Sequence, residues 1–148
     1  MADLLRSANA IWYGDLRGGK GTVSTHSGVL KDTSYSFATR FENNPGTNPE
    51  EMIAAAHASC FSMAFANTLA KKGYAPESIH TQSTCVFSPK EGGGFRVSRM
   101  RVEVEGKVPN IDEATFVQIA HEADQGCPIS NLLRPGVDAI EVNAHLAK

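Results

Sequence analysis

From Met52 to Ala70 the chain runs for 19 residues without a formal charge, "MIAAAHASCFSMAFANTLA". That length reaches a bilayer span. Ala dominates the stretch, however, and His57, Ser59, Ser62, Asn67 and Thr68 dilute it. The flanking segments also alternate in polarity like half-buried strands, so the reading is a buried helix with no membrane role. A helix apolar on all sides must be covered on all sides. In 148 residues, one sheet and one further long helix cannot supply that cover. A second copy of the chain is the economical solution, and a homodimer with this helix near its interface is expected.

The ends of the helix are marked by local chemistry. Asn48 is placed to cap, Pro49 suits the first turn, and Glu51 falls where a capping-box acid reaches back. Glu50 and Glu51 oppose the helix dipole, and Lys71-Lys72-Gly73 closes the segment with cations and then a glycine. The chain before it reads as strands: "AIWYGDLRGGKGTVSTHSGVL" has β-prone runs punctuated by glycines. "SYSFATRF" alternates, with Tyr35, Phe37, Thr39 and Phe41 on one strand face. After the helix, residues 78–108 read as an antiparallel hairpin. Asp112 opens a second helix, through Phe116, Ile119, Ala120 and Ala123, that ends at Gly126. Cys127-Pro128 begins a short helix, "PISNLL", and "AIEVNAHL" closes as a strand. The order of elements implies a single α+β domain over residues 1–148.

Composition excludes some functions. A net charge of -2 with scattered basic residues leaves no nucleic-acid footprint. "MADLLRSANA" is too polar for a secretory signal, which implies a cytoplasmic address. No zinc-ligand spacing occurs, and the glycines of "GDLRGGKGT" fit neither phosphate-binding pattern. No cofactor is expected.

An odd number of cysteines, Cys60, Cys85 and Cys127, points to reduced or redox-active thiols over a disulfide framework. Cys60 in an Ala-rich helix has an ordinary account as a small core hydrophobe, and Cys85, on a strand with Val86 and Phe87, has the same. Cys127 has two accounts from position alone. It is a serine-like cap, or a thiol whose ionisation is favoured by a helix N-terminus. His57, three residues before Cys60, shares its helix face and either pairs with it or is a satisfied core histidine.

Four stretches together, "WYGDLRGGKGTVSTHSGVL", "TRFE", "GTNPEEMIAAAHASCFSMAF" and "CPISNLL", resemble the OsmC/Ohr family of thiol peroxidases, from about Trp12 to the closing strand. The resemblance implies an intertwined homodimer of α+β subunits, with antiparallel sheets around long central helices and active sites at the interface. It implies reduction of organic hydroperoxides, with hydrogen peroxide a weaker substrate and an external dithiol, a lipoylated protein or dihydrolipoamide, as reductant. The family's peroxidatic cysteine matches Cys60, its resolving cysteine Cys127 and its glutamate Glu50. Its arginine matches Arg40 in the OsmC branch, with Arg17 the equivalent in the Ohr branch. The apolar helix is then expected to line a pocket for the peroxide's tail. Cys85 matches no family role.

One expectation is geometric. Glu50 and Cys60 are ten residues apart on one helix, about 15 Å along its axis. If both serve one site, Glu50 comes from the partner subunit. The rival readings are a slow thiol redox sensor, an apolar-ligand-binding dimer on the same fold, and a Cys/His hydrolase that requires His57.

Overall fold

The computed structural model describes residues 2–148, which divide into two compact units, one ending at Met52 and the other Ile53–Lys148. In the first unit β1 (Ala8–Tyr13), β2 (Lys20–Thr25) and β3 (Thr33–Ser36) form an antiparallel meander in that order. Its first turn is held by Asp15, whose Oδ1 accepts the amides of Arg17 and Gly18 at 2.8 Å each.

The expected strand through Phe41 stops at Ser36. Residues Phe37–Phe41 are a short helix, α1, with Ser36 as its N-cap. Ser36 Oγ accepts the Thr39 amide at 3.3 Å, and Thr39 Oγ1 accepts the Ser36 amide at 3.0 Å. This reciprocal box satisfies two amides that a strand would have left to a neighbour. The alternation misleads because Phe37 and Phe41 share a face in either conformation. One helical turn also brings residues four apart together, and their rings stack with centroids 4.6 Å apart.

The long helix α2 spans Pro49–Lys71. Asn48 Oδ1 accepts the Glu51 amide at 2.8 Å, as its capping position predicts. At the other end Gly73 takes φ +88°, a conformation that penalises any residue with a Cβ. The Tyr74 amide returns to the Leu69 carbonyl at 3.0 Å, which closes the helix.

In the second unit β4 (Ser78–Pro89) and β5 (Phe95–Lys107) form the expected hairpin, with a register shift at Val86/Phe87. α3 (Glu113–Gly126) begins on an Asp112 cap, α4 (Pro128–Leu133) begins on Cys127, and β6 (Ala139–Leu146) closes the sheet. β6 pairs with β5 in parallel, which departs from the expected all-antiparallel arrangement. The reason is the connection: α3 and α4 intervene, and a crossover of that length returns a strand in the same direction.

The core lies in this unit. Phe61, Phe65 and Leu69 of α2 meet Val102 and Val104 of β5 and Phe116, Ile119, Ala120 and Ala123 of α3. Phe65 and Phe116 pack edge to face at 4.9 Å. Gly106 on β5 lets Phe116 lie against the sheet, since a Cβ there would sit 2.5 Å from its ring.

Beyond Glu50 in its first turn, α2 is buried in the single chain along His57, Phe61, Phe65 and Leu69. Those residues are spaced by four and make one face. Ala55, Ala56, Ser59, Met63 and Asn67 remain exposed. The helix is long and apolar enough, by length and composition alone, to cross a membrane. Here one stripe of it is packed in the core just described.

Candidate active site

Cys127 sits at a junction built by short-range chemistry. It ends α3, where its amide donates to the Asp124 carbonyl at 3.3 Å, and it caps α4, where its Sγ accepts the Ser130 amide at 3.5 Å. Pro128 in the first turn of α4 needs no amide partner and suits this sharp entry. The junction turns the Cys127 thiol toward α2, where its Sγ lies 3.3 Å from Cys60 Sγ. Both are thiols. A disulfide would bring the sulfurs to about 2.05 Å, so the two are within a small movement of bonding. Cys127 is fully buried and Cys60 half-buried.

Burial pushes the Cys60 thiol up from its ordinary pKa. The shared hydrogen bond with Cys127 acts in the same direction, while the Ile129 amide at the start of α4 acts against both. These surroundings therefore disfavour the Cys60 thiolate. An added positive charge would be needed to favour the reactive thiolate.

His57 is the satisfied core histidine of the two alternatives. It is fully buried, with Nε2 2.9 Å from Ser130 Oγ and Nδ1 3.1 Å from Ser83 Oγ. Both ring nitrogens are occupied by serines, which leaves none for a Cys/His pair with Cys60. Burial, and secondarily the Arg134 charge, lower its pKa, while Asp124 opposes them. Below Cys127, Arg134 Nη2 donates to Asp124 Oδ2 at 2.7 Å and reaches the Asp124 carbonyl at 3.4 Å. Ser83, Ser130, Asp124 and Arg134 escaped the sequence reading. Only Ser130 carried a signal, three residues after a capping cysteine.

The first unit holds the other charged pair. Arg40 Nε reaches both Glu50 oxygens at 3.2 Å, and Nη2 reaches Oε1 at 2.7 Å. The Glu50 side chain is only 10% exposed against 35% for Arg40. The carboxylate is thus fixed, and it orients the guanidinium by a bidentate contact. Arg17, the alternative arginine, lies over the Phe37 ring at 5.1 Å. Beside Arg40 is a cavity of about 470 Å³ walled by Trp12, Leu16, Tyr35, Phe37 and Phe41. Its apolar surface comes from β1, β3 and α1, and α2 contributes Pro49 at the edge. The expected apolar helix is therefore not the wall next to the arginine. The tilted Trp12–Tyr35 pair, 5.4 Å apart, is part of that wall. Aromatics alternating along short strands were its only sequence trace.

The structure thus brings Cys60 together with Cys127 in one unit, and Arg40 together with Glu50 in the other. Among the described residues, no group of three or more His, Cys, Asp or Glu side chains is arranged to hold a metal ion.

Comparison with known proteins matches this architecture. A sequence model described as OsmC-like protein matches residues 41–141. Peroxiredoxin OsmC of Escherichia coli (strain K12) is 47% identical over 129 residues, covering 87% of this chain and 90% of that protein. The chain belongs to the OsmC-like family. Organic hydroperoxide resistance protein OhrB of Bacillus subtilis is 26% identical over 82% of this chain and 88% of its own length. The crystal structure of that OhrB has a TM-score of 0.71 at 24% identity, covering 93% of this chain and 98% of the other. An OsmC-like protein from Mycoplasma pneumoniae reaches a TM-score of 0.74 at 17% identity, over 99% of this chain and 100% of its own. These two structures share the α+β fold.

Proposed function

We propose that this chain reduces organic hydroperoxides in preference to hydrogen peroxide, with Cys60 as the attacking thiol and Cys127 as the resolving one. By its family it is a thiol peroxidase, an oxidoreductase. The observation that carries the finer reading is the 3.3 Å approach of Cys127 Sγ to Cys60 Sγ across 67 residues of sequence. A core cysteine needs no such neighbour.

In the first step the Cys60 thiolate attacks the terminal peroxide oxygen. The O–O bond breaks, an alcohol leaves, and Cys60 carries a sulfenic acid. Cys127 then attacks that sulfur, the S–O bond breaks, water leaves, and a Cys60–Cys127 disulfide forms. An external dithiol, a lipoylated protein or dihydrolipoamide, exchanges twice with the disulfide and restores both thiols while its own sulfurs are oxidised.

Arg40 supplies what the Cys60 surroundings lack. A guanidinium beside the thiol favours thiolate and stabilises charge moving onto the leaving alkoxide, and Glu50 holds it in a fixed orientation. The aromatic cavity beside Arg40 takes the alkyl or acyl tail. Ten residues of one helix separate Glu50 from Cys60, so each site is composite, with Arg40 and Glu50 from one subunit and Cys60 from its partner. The exposed apolar face of α2 is consistent with the homodimer this requires. The proposed setting is the cytoplasm, with no membrane or nucleic-acid partner.

The test is consumption of tert-butyl hydroperoxide and hydrogen peroxide with dihydrolipoamide, for wild type, Cys60→Ser and Cys127→Ser. Wild type should turn over the organic peroxide preferentially, Cys60→Ser should not react, and Cys127→Ser should react once and stall with Cys60 oxidised. Full activity in Cys60→Ser, or none in wild type, would overturn the reading and favour an apolar-ligand binder. Slow turnover that is not recycled by the dithiol would favour a redox sensor.

A further inference from the structure

The sulfur pair is one part of a closed ring of contacts. Cys60 meets Cys127, whose Sγ accepts the Ser130 amide. The Ser130 hydroxyl meets His57. His57 lies on α2 three residues before Cys60, on the same helix face, which completes the ring. His57 and Ser130 are both fully buried, and Ser83 of β4 fixes the imidazole from its other nitrogen.

α4 has only six residues, too few to hold a helix in place without tertiary anchors. Just past its far end Arg134 is tied to Asp124. At its sulfur end the anchor is His57. We propose that His57 is a positioning residue for Cys127: through Ser130 it ties the first turn of α4 to α2, and so sets the reach between the two sulfurs. The proposal rests on the assignment of Cys60 and Cys127 as a reacting pair. It gives His57 no part in proton transfer, because neither ring nitrogen is turned to a sulfur.

Positioning of this kind acts on the second chemical step. Sulfenic acid formation does not involve Cys127, whereas disulfide formation depends on the effective concentration of Cys127 at the Cys60 sulfur. A loosened α4 leaves the sulfenic acid exposed longer to a second peroxide, which oxidises it to sulfinic acid with release of another alcohol.

The test uses the full chain and does not depend on peroxide. Reduced protein is equilibrated with glutathione disulfide. Cys60 and Cys127 are oxidised to their disulfide, glutathione disulfide is reduced to two thiols, and the ratio gives the effective concentration of the pair. Ser130→Ala should lower it by about tenfold and Ser83→Ala by less than about threefold, because only Ser130 connects His57 to α4. His57→Gln, which keeps a hydrogen-bonding group, should fall between wild type and His57→Leu. With organic peroxide, Ser130→Ala should slow disulfide formation more than the first oxidation and raise the sulfinic fraction of Cys60 by mass.

Equal effects of Ser83→Ala and Ser130→Ala, or none from either, would reduce His57 to a core filler and overturn the proposal. So would a wild-type chain that forms no Cys60–Cys127 disulfide with glutathione. If the disulfide forms and responds as expected but peroxide is not reduced, the proposed peroxidase activity fails while the positioning role stands.

Discussion

The two units differ in how far each can bury its own apolar surface. Ile53–Lys148 has a closed core of Phe61, Phe65, Leu69, Phe116, Val102 and Val104, each fully buried. In the unit ending at Met52, Val23 is the one buried large apolar side chain among the described residues, while Ile11, Tyr13, Leu16 and Val29 are at least half exposed. A meander of three strands becomes independently stable only with a hydrophobic face to bury, and this one buries little. The chemistry divides the same way. The core-rich unit has two apposed thiols, and the burial of Cys60 there disfavours its charged form. The core-poor unit has an oriented guanidinium beside an aromatic cavity. Each possesses what the other lacks, and the composite site proposed above rests on that complementarity.

The largest effect expected from breaking that complementarity is in Arg40→Ala. Removing one oriented charge donor costs about 10²–10³ in rate, read here as the rate of Cys60 oxidation by tert-butyl hydroperoxide. Thermal stability should fall as well, because the substitution leaves the Glu50 carboxylate, only 10% exposed, without its guanidinium partner, so the rate is compared on folded protein. If the rate falls by less than about threefold, Arg40 is not the residue that activates Cys60. In that event Arg17→Ala becomes the variant to measure.

Next comes a test of which chain supplies which half. Cys60→Ser and Glu50→Gln chains are each expected to be weak or inactive alone. Unfolded and refolded as a 1:1 mixture, they should recover about a quarter of wild-type activity, because random pairing makes half the dimers mixed and each mixed dimer has one intact site. No recovery, with mixed dimers demonstrated by mass, would place both residues of a working site in one chain.

Local chemistry made most of the framework legible. Asn48, Pro49 and Gly73 bounded α2, Asp112 opened α3, and the Cys127-Pro128 step opened α4, because caps and prolines act within a few residues. "SYSFATRF" failed for the same reason that the others succeeded. Its decisive feature is the Ser36–Thr39 box, which a period-two pattern overlies. The site was legible as residue types, through the family resemblance, more than as geometry. Nothing local ties Cys127 to Cys60, or Arg40 to the aromatic wall from Trp12 and Tyr35. Those contacts depend on how the α3–α4 crossover and the meander fold back, and a half-buried partner such as Ser83 has no sequence signature.

A smaller effect separates the cap of α2 from the site it supports. Asn48 accepts the Glu51 amide and also donates from Nδ2 to the Thr39 carbonyl at 3.2 Å, so it connects the start of α2 to the end of α1. Asn48→Ala should cost about 1 kcal/mol by denaturant unfolding. If the Arg40–Glu50 geometry depends on this cap, peroxide reactivity should fall with it. If only stability falls, the ion pair is held by the aromatic wall instead.

The smallest expected effect is a slope with pH. His57 is buried, and that burial lowers its pKa against the opposing pull of Asp124. A base with a lowered folded pKa binds fewer protons when folded than when unfolded, so its neutral form is tolerated above the unfolded value near 6.5. As pH falls below that value the unfolded chain takes up a proton first, and stability drops until the folded pKa is passed. Between pH 7 and 6 the loss is at most about 0.7 kcal/mol for one such group. It should be absent in His57→Gln. Disulfide formation should weaken over the same interval if protonation of His57 disturbs Ser130. A pH slope that survives in His57→Gln would assign the sensitivity to another group, and the link between pH and the sulfur pair through His57 would fail.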